Sequence, residues 1–206
     1  MTMFRNEYGS KLLSDAVESL ASLPGIGRRS ALRLALHLLG EPVPNVEKFA
    51  ASILDFRNKI QFCPRCNMIS DDGRCAFCGN PDRSTGTVCV VENHADVLSI
   101  ENTGQYFGVY HVLGGILSPI DGVGPDDLTI SELIDRVAGG EVEEVILALN
   151  TSIEGETTAF YIARKLEGYG VKLTAIARGV GFGDDLEYTD TLTLGRSITN
   201  RQPFKI

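Results

Sequence analysis

Four of the five cysteines in this 206-residue sequence stand in one pattern, Cys63-x2-Cys66-x8-Cys75-x2-Cys78. Two CxxC pairs presented close together complete a tetrahedral thiolate site suited to zinc. The spacer between the pairs is short, and Asp71-Asp72-Gly73 supplies the tight reversal it requires. Four thiolates close the coordination sphere and leave no position for water, so the expected Zn2+ is structural rather than catalytic. The alternatives are disulfides, which a reducing compartment disfavours, and redox pairs, which seldom come doubled. Cys89 sits in the apolar run Thr87-Val88-Cys89-Val90-Val91 and reads as core, not as a fifth ligand.

A second group is the turn Pro24-Gly25-Ile26-Gly27, followed by Arg28, Arg29 and Arg33. Gly25 and Gly27 permit close backbone approach, and the free amides opening the next helix suit a phosphate. Arg29 and Arg33, four residues apart, share a helical face with Arg28 beside them. The segment Leu20 to Ala31 resembles a helix-hairpin-helix motif, a DNA-binding element that engages phosphate and is therefore insensitive to base sequence. The competing reading is an ordinary helical corner whose arginines are merely solvated.

The third group is acidic. Glu92 closes the run Val90-Val91-Glu92, and Asn150-Thr151-Ser152-Ile153-Glu154-Gly155-Glu156 follows another apolar run, so both lie at carboxyl ends of expected strands, where open α/β sheets place ligands. The arrangement resembles the Toprim domain, whose catalytic pattern has aspartates at the positions of Asn150 and Ser152. Those charges would bind a hard cation and support phosphoryl transfer. Glu92, Glu154 and Glu156 remain as a weak Mg2+ site or a partner-binding face, and the domain reads as a Toprim scaffold without its catalysis.

The elements that must position these groups follow from periodicity. Leu12, Leu13, Ala16, Val17, Leu20 and Ala21, then Ala31, Leu32, Ala35, Leu38 and Leu39, predict two helices around the turn. A third is predicted from Val46 to Ile60, behind Pro42 and Pro44. Beyond the cysteines, β-rich runs at 87–91, 108–112, 144–149 and 172–177 alternate with helical stretches, which predicts an α/β fold with a mostly parallel sheet covered by helices. Thr129 and Glu132 offer a capping box for a helix through Leu133, Ile134 and Val137. The expected domains are 1–60, helical and DNA-binding; 61–85, the zinc module; 86–178, the Toprim domain; and 179–206, a C-terminal segment for subunit contacts. His37, within the apolar second helix, and His94, after the strand-end Glu92, read as non-catalytic, the tyrosines read as core or interface packing, and no Ser/His/Asp grouping is visible.

The net charge of -8 argues against nucleic acid only if it is evenly spread, and it is not. Residues 1–60 hold eight Lys/Arg against six Asp/Glu, whereas residues 86–206 hold eight against eighteen. DNA contact therefore belongs to the N-terminal third, and the acidic remainder suits a protein partner. No apolar run approaches the roughly 20 residues of a spanning helix, and the start, with Arg5, Glu7 and Ser10, lacks the layout of a secretory signal. A cytoplasmic location is expected.

Helix-hairpin-helix, four cysteines and Toprim pattern in this order resemble the RecR family of bacterial recombination mediators over nearly the whole chain. His111 to Pro125 resembles that family's long loop after the second Toprim strand, and Leu186-Glu187-Tyr188-Thr189-Asp190 its C-terminal signature. The resemblance implies a non-enzymatic, ring-shaped tetramer that admits duplex DNA and acts with RecO and RecF to help RecA load at gaps. It also implies DNA contact by Arg29 and Arg33, zinc on the four cysteines and RecO binding by the acidic region. Gly179-Val180-Gly181-Phe182-Gly183 lacks the family's proline, and Gly114 stands where a histidine is frequent. The competing function is a magnesium-dependent Toprim nuclease or strand transferase, and a third reading is an adaptor for which DNA is incidental.

Overall fold

A computed structural model describes residues 8–181 and 183–203. The outermost residues of the expected terminal segments, and Phe182 of the glycine-rich stretch, lie outside the described residues. The chain divides after Lys59 into two compact units.

The first unit is α1 (Lys11–Ala21), α2 (Arg28–Gly40) and α3 (Val43–Lys59). Ser10 starts α1 by accepting the Leu13 amide on its hydroxyl at 3.3 Å. Helices α1 and α2 close on Val17, Ala31 and Ala35, with Leu13, Leu20 and Ile26 at the margin. The small alanines let the helices approach closely. Helix α3 starts at Val43, not Val46, and ends at Lys59. Pro44 occupies its first turn, where the missing N–H has no intrahelical acceptor to lose. None of its residues is buried. His37 is exposed, 3.8 Å from Glu41 one turn on.

The second unit opens with a short antiparallel pair, β1 (Gln61–Phe62) and β2 (Ile69–Ser70), which the sequence pattern does not announce. There follow β3 (Ser84–Val91), α4 (His94–Glu101), β4 (Gly108–Val112), α5 (Ile130–Ala138), β5 (Glu144–Ala148), α6 (Ile153–Leu166), β6 (Lys172–Ala175) and α7 (Thr191–Thr199). The four-stranded sheet has the order β4-β3-β5-β6, and every pairing is parallel. Strand β3 begins before the apolar run, with a register shift between Ser84 and Val88. Strand β6 stops at Ala175, two residues short of the predicted run.

Alternation along the central strands separates two cores. Val88, Val90, Val109 and Val145 join Leu133, Val137, Ile162 and Leu166 of α5 and α6 on one face. Cys89, Val91, Tyr110 and Val112 face the other way, where Val97 of α4 and all four paired cysteines complete a second core. The cysteine segment is thus a wall of the sheet domain, not a bead on a linker.

Thr129 does stand before α5, but its hydroxyl makes no cap hydrogen bond. It donates instead to the Val112 carbonyl at 2.8 Å, at the end of β4. The predicted capping box gives way to a strand-end tie.

Candidate metal centre and nucleic-acid interface

Each CxxC pair folds as a knuckle. The amides of Cys66 and Asn67 donate to the Cys63 carbonyl at 3.2 and 2.8 Å, and Gly79 donates to that of Cys75 at 2.9 Å. Asn67 takes a left-handed φ of 57°, which an asparagine tolerates and which turns the first knuckle back on itself. The knuckle is pinned to the sheet: Val112 donates its amide to the Cys66 carbonyl at 2.9 Å, and Asn67 Nδ2 donates to the Val112 carbonyl at 3.0 Å.

Sγ atoms of Cys63, Cys66, Cys75 and Cys78 all lie within 4.8 Å of one another and all four residues are buried. A tetrahedron with zinc–sulfur bonds of about 2.3 Å has edges of about 3.8 Å, so the group fits a zinc ion without backbone rearrangement. Cys66 Sγ and Cys75 Sγ are 3.4 Å apart, a hydrogen-bonding and not a bonded separation, and no cysteine is in a disulfide. The Cys78 amide approaches Cys75 Sγ at 3.4 Å. Hydrogen bonds from Cys66 and Cys78 hold the Cys75 thiol far below its ordinary range, while that to Cys75 pushes Cys66 up. Sulfurs this close cannot all become thiolates without a shared cation. Cys89, on the same sheet face, is outside the group; burial pushes its thiol up to about 12.

The strand-end acids behave differently. Asn150 Nδ2 donates to Glu92 Oε2 at 2.7 Å. Asn150 Oδ1 accepts from the Ser152 hydroxyl at 2.5 Å, and that hydroxyl caps α6 by accepting the Gly155 amide at 3.0 Å. Glu156 is held by Arg178 and, at 3.6 Å, by Arg196. Among the described residues the cysteines are the one convergent group of three or more ligand-type side chains; Glu92, Glu154 and Glu156 do not form another. Gly155 is required for the turn into α6, because a Cβ there would lie 2.3 Å from both Asn150 oxygens.

In the first unit the turn between α1 and α2 is open. Gly25 has a φ of +79°, and Gly27 caps α2 with extended backbone and no side-chain cap. A Cβ at either glycine would meet nothing of the chain within 4 Å. Arg28, Arg29 and Arg33 are exposed. Arg28 reaches Glu18 at 4.0 Å, whereas Arg29 and Arg33 make no ion pair or hydrogen bond with a described residue.

Comparison with known proteins agrees with this arrangement. The profile "RecR, helix-hairpin-helix" matches residues 13–56, "Toprim domain" residues 86–177 and "RecR, C-terminal" residues 179–202. The Recombination protein RecR of Porphyromonas gingivalis is 55% identical over 198 residues, 96% of each chain. That of Parabacteroides distasonis is 56% identical over 199 residues, 97% of this chain and 96% of its own. The chain belongs to the RecR family. RecR of Flavobacterium psychrophilum, 52% identical over 199 residues and 97% of each chain, extends the likeness. Membership brings DNA recombination and repair as the function class, on a scaffold of helix-hairpin-helix, four-cysteine cluster and Toprim sheet. No helix of the described residues is long and apolar enough to cross a membrane.

Sequence reasoning passed over the polar cluster beneath the cysteine wall. Arg83 Nη2 meets Glu101 Oε2 at 2.5 Å, its guanidinium lies 4.9 Å from the Phe77 ring centre, and Tyr110 Oη donates to Glu101 Oε1 at 2.5 Å. Burial works against the Glu101 carboxylate, but these partners outweigh it and hold its pKa low. Arg136 was equally invisible, since no motif contains it.

Proposed function

We propose that this RecR-family chain is a non-enzymatic DNA clamp in recombinational repair, acting with RecO and RecF to promote RecA loading at gapped DNA. The observation that carries the reading is the open Gly25–Gly27 turn beside exposed Arg29 and Arg33. A glycine that neither backbone torsion nor the chain's own packing demands, as at Gly27, leaves room for a ligand's backbone against the helix amides. Gly25, Gly27, Arg28, Arg29 and Arg33 are the DNA-contact set, and binding is to duplex and gapped DNA without base preference.

Zn2+ on Cys63, Cys66, Cys75 and Cys78 is structural: it joins the two knuckles and supplies no open coordination position. Residues 1–60, 61–85, 86–178 and 179–206 serve as DNA-binding, zinc, Toprim and subunit-contact segments. A tetrameric ring is supported by apolar surface at both ends of the chain. Helix α3 leaves Phe49, Ile53, Leu54 and Phe56 exposed, and the C-terminal segment leaves Tyr188, Leu192 and Ile198 exposed. The acidic face around Glu92, Glu154 and Glu156 is the RecO-binding surface, and the clamp works in the cytoplasm.

The non-catalytic reading rests on Asn150, whose amide satisfies Glu92 where a second carboxylate would need a cation. The alternative, a nuclease or strand transferase using Mg2+, predicts magnesium-dependent plasmid turnover that Glu92→Gln abolishes. The principal test is Arg29→Glu combined with Arg33→Glu. Affinity for duplex DNA at low salt should fall more than about 100-fold, with a shallower salt dependence and unchanged zinc content. Unchanged affinity would remove the hairpin from the DNA site.

A further inference from the structure

Arg136 lies in the last turn of α5, half-buried, and its only described hydrogen bond runs from Nη1 to the Tyr110 carbonyl at 2.9 Å. Its Nε and Nη2 are buried with no partner. No described carboxylate reaches ion-pair distance of it. Glu141, which lines the same cavity of about 410 Å³, is taken by Arg65 at 2.6 Å. A guanidinium cannot shed its charge at physiological pH, so a buried one without a counter-ion is costly. Glu132 and Asp135 of α5 also line the cavity, without an ion pair to Arg136, and its other wall is Pro64 and Arg65, the two residues inside the first knuckle. Tyr110 belongs to the same core as the four cysteines.

We infer that Arg136 is the counter-charge of the metal centre: its buried guanidinium offsets the negative charge that four thiolates leave on a bound dication. Burial disfavours the cation, and the opposing influences come first from Cys78 and then from Cys66, with Tyr106 last; Arg65 adds to the penalty. The unpartnered nitrogens belong to a residue that shares its cavity with Pro64 and Arg65, between the first two ligands, and thiolate charge is of the sign they need. Arg136 acts through the ligands, so it is a positioning residue. It ties helix α5 of the sheet domain to the charge state of the knuckles, and metal loss would be felt at α5. The inference rests on the zinc reading above.

The test uses the full chain and measures zinc affinity by competition with a chromophoric chelator in the wild type, Arg136→Gln, Arg136→Lys and Arg65→Gln. Partners of metal ligands generally contribute about 10- to 100-fold in affinity. Arg136→Gln should weaken zinc by that factor, Arg136→Lys by less than about tenfold because it keeps the charge, and Arg65→Gln by less than about twofold. The rise in melting temperature on adding zinc should shrink in Arg136→Gln, an increment that a role confined to packing would leave alone. If Arg136→Gln does not fold, Arg136→Lys decides: zinc held within about tenfold of wild type supports the assignment, and a larger loss overturns it. Wild-type affinity in Arg136→Gln, or equal weakening by Gln and Lys, also overturns it. A wild-type protein that binds no zinc would defeat the metal reading itself, a separate outcome.

Discussion

Two clusters of potential ligands sit in the same sheet domain, and they differ in what else their atoms can do. The cysteine sulfurs are buried, lie within 4.8 Å of one another and have chiefly each other as partners. Two of the three strand-end acids have a partner of another kind: Glu92 has the Asn150 amide, and Glu156 has Arg178 and Arg196. A group whose polar atoms are already satisfied has little to gain from a cation, whereas crowded thiols gain a great deal. Ligand-type residues near one another thus mean metal only when the fold withholds other partners from them.

The largest expected effect attacks the first cluster. Cys66→Ser should lose the metal and lower the stability of the sheet unit by more than about 4 kcal/mol, since binding energy at a structural zinc is folding energy. Metal analysis and thermal melts check this. A metal-free variant as stable as the wild type would reduce the cluster to ordinary packing.

A somewhat smaller effect asks whether the wall is dry. His111 is 1% exposed, its Nε2 meets the Thr129 carbonyl at 2.7 Å, and it lines a small cavity with Cys63 and Asn67. Burial pushes its pKa down to about 4, below the unfolded value of about 6.5. Stability is therefore complete above about pH 6.5 and is lost as pH falls toward 4, by about 3 kcal/mol at most. His111→Gln should remove that slope, and denaturant titrations of both proteins across the window would reveal parallel curves if the imidazole were hydrated.

The second cluster yields smaller numbers. Gly155→Ala should cost about 1–3 kcal/mol by pushing Asn150 away from Glu92. A melting curve like the wild type's would show that the α6 entry tolerates the displacement. Asn150→Asp should cost about 1 kcal/mol by setting a carboxylate against Glu92, and millimolar Mg2+ should restore the loss. That substitution would make the second cluster resemble the first, and stability indifferent to Mg2+ would show that more than one side chain separates them.

Much of this molecule was legible in the residues because the relevant signals are local. Short β-rich runs marked all four strands of the parallel sheet, the central ones near-continuously apolar because both faces are largely buried, and helical spacing marked α1 and α2, where burial on one face imposes the period. Helix α3 starts ahead of the boundary that Pro42 and Pro44 suggest, because its first turn accommodates Pro44. Thr129 and Glu132 had the form of a capping box, yet the Val112 carbonyl, close only in space, claimed the hydroxyl. The CxxC spacing, the glycine turn and the neutral residues at positions 150 and 152 were likewise fixed by the sequence alone, each being a matter of residue type at short range. Only the tertiary structure decided that the cysteines form a wall of the sheet's second core, that Glu156 is held by arginines from beyond β6, and that half-buried Arg136 shares a cavity with the first knuckle and has no acid at ion-pair distance. Those relations join residues tens of positions apart, and a hydrogen bond or an uncompensated charge depends on the folded distance between them, which no spacing along the chain encodes.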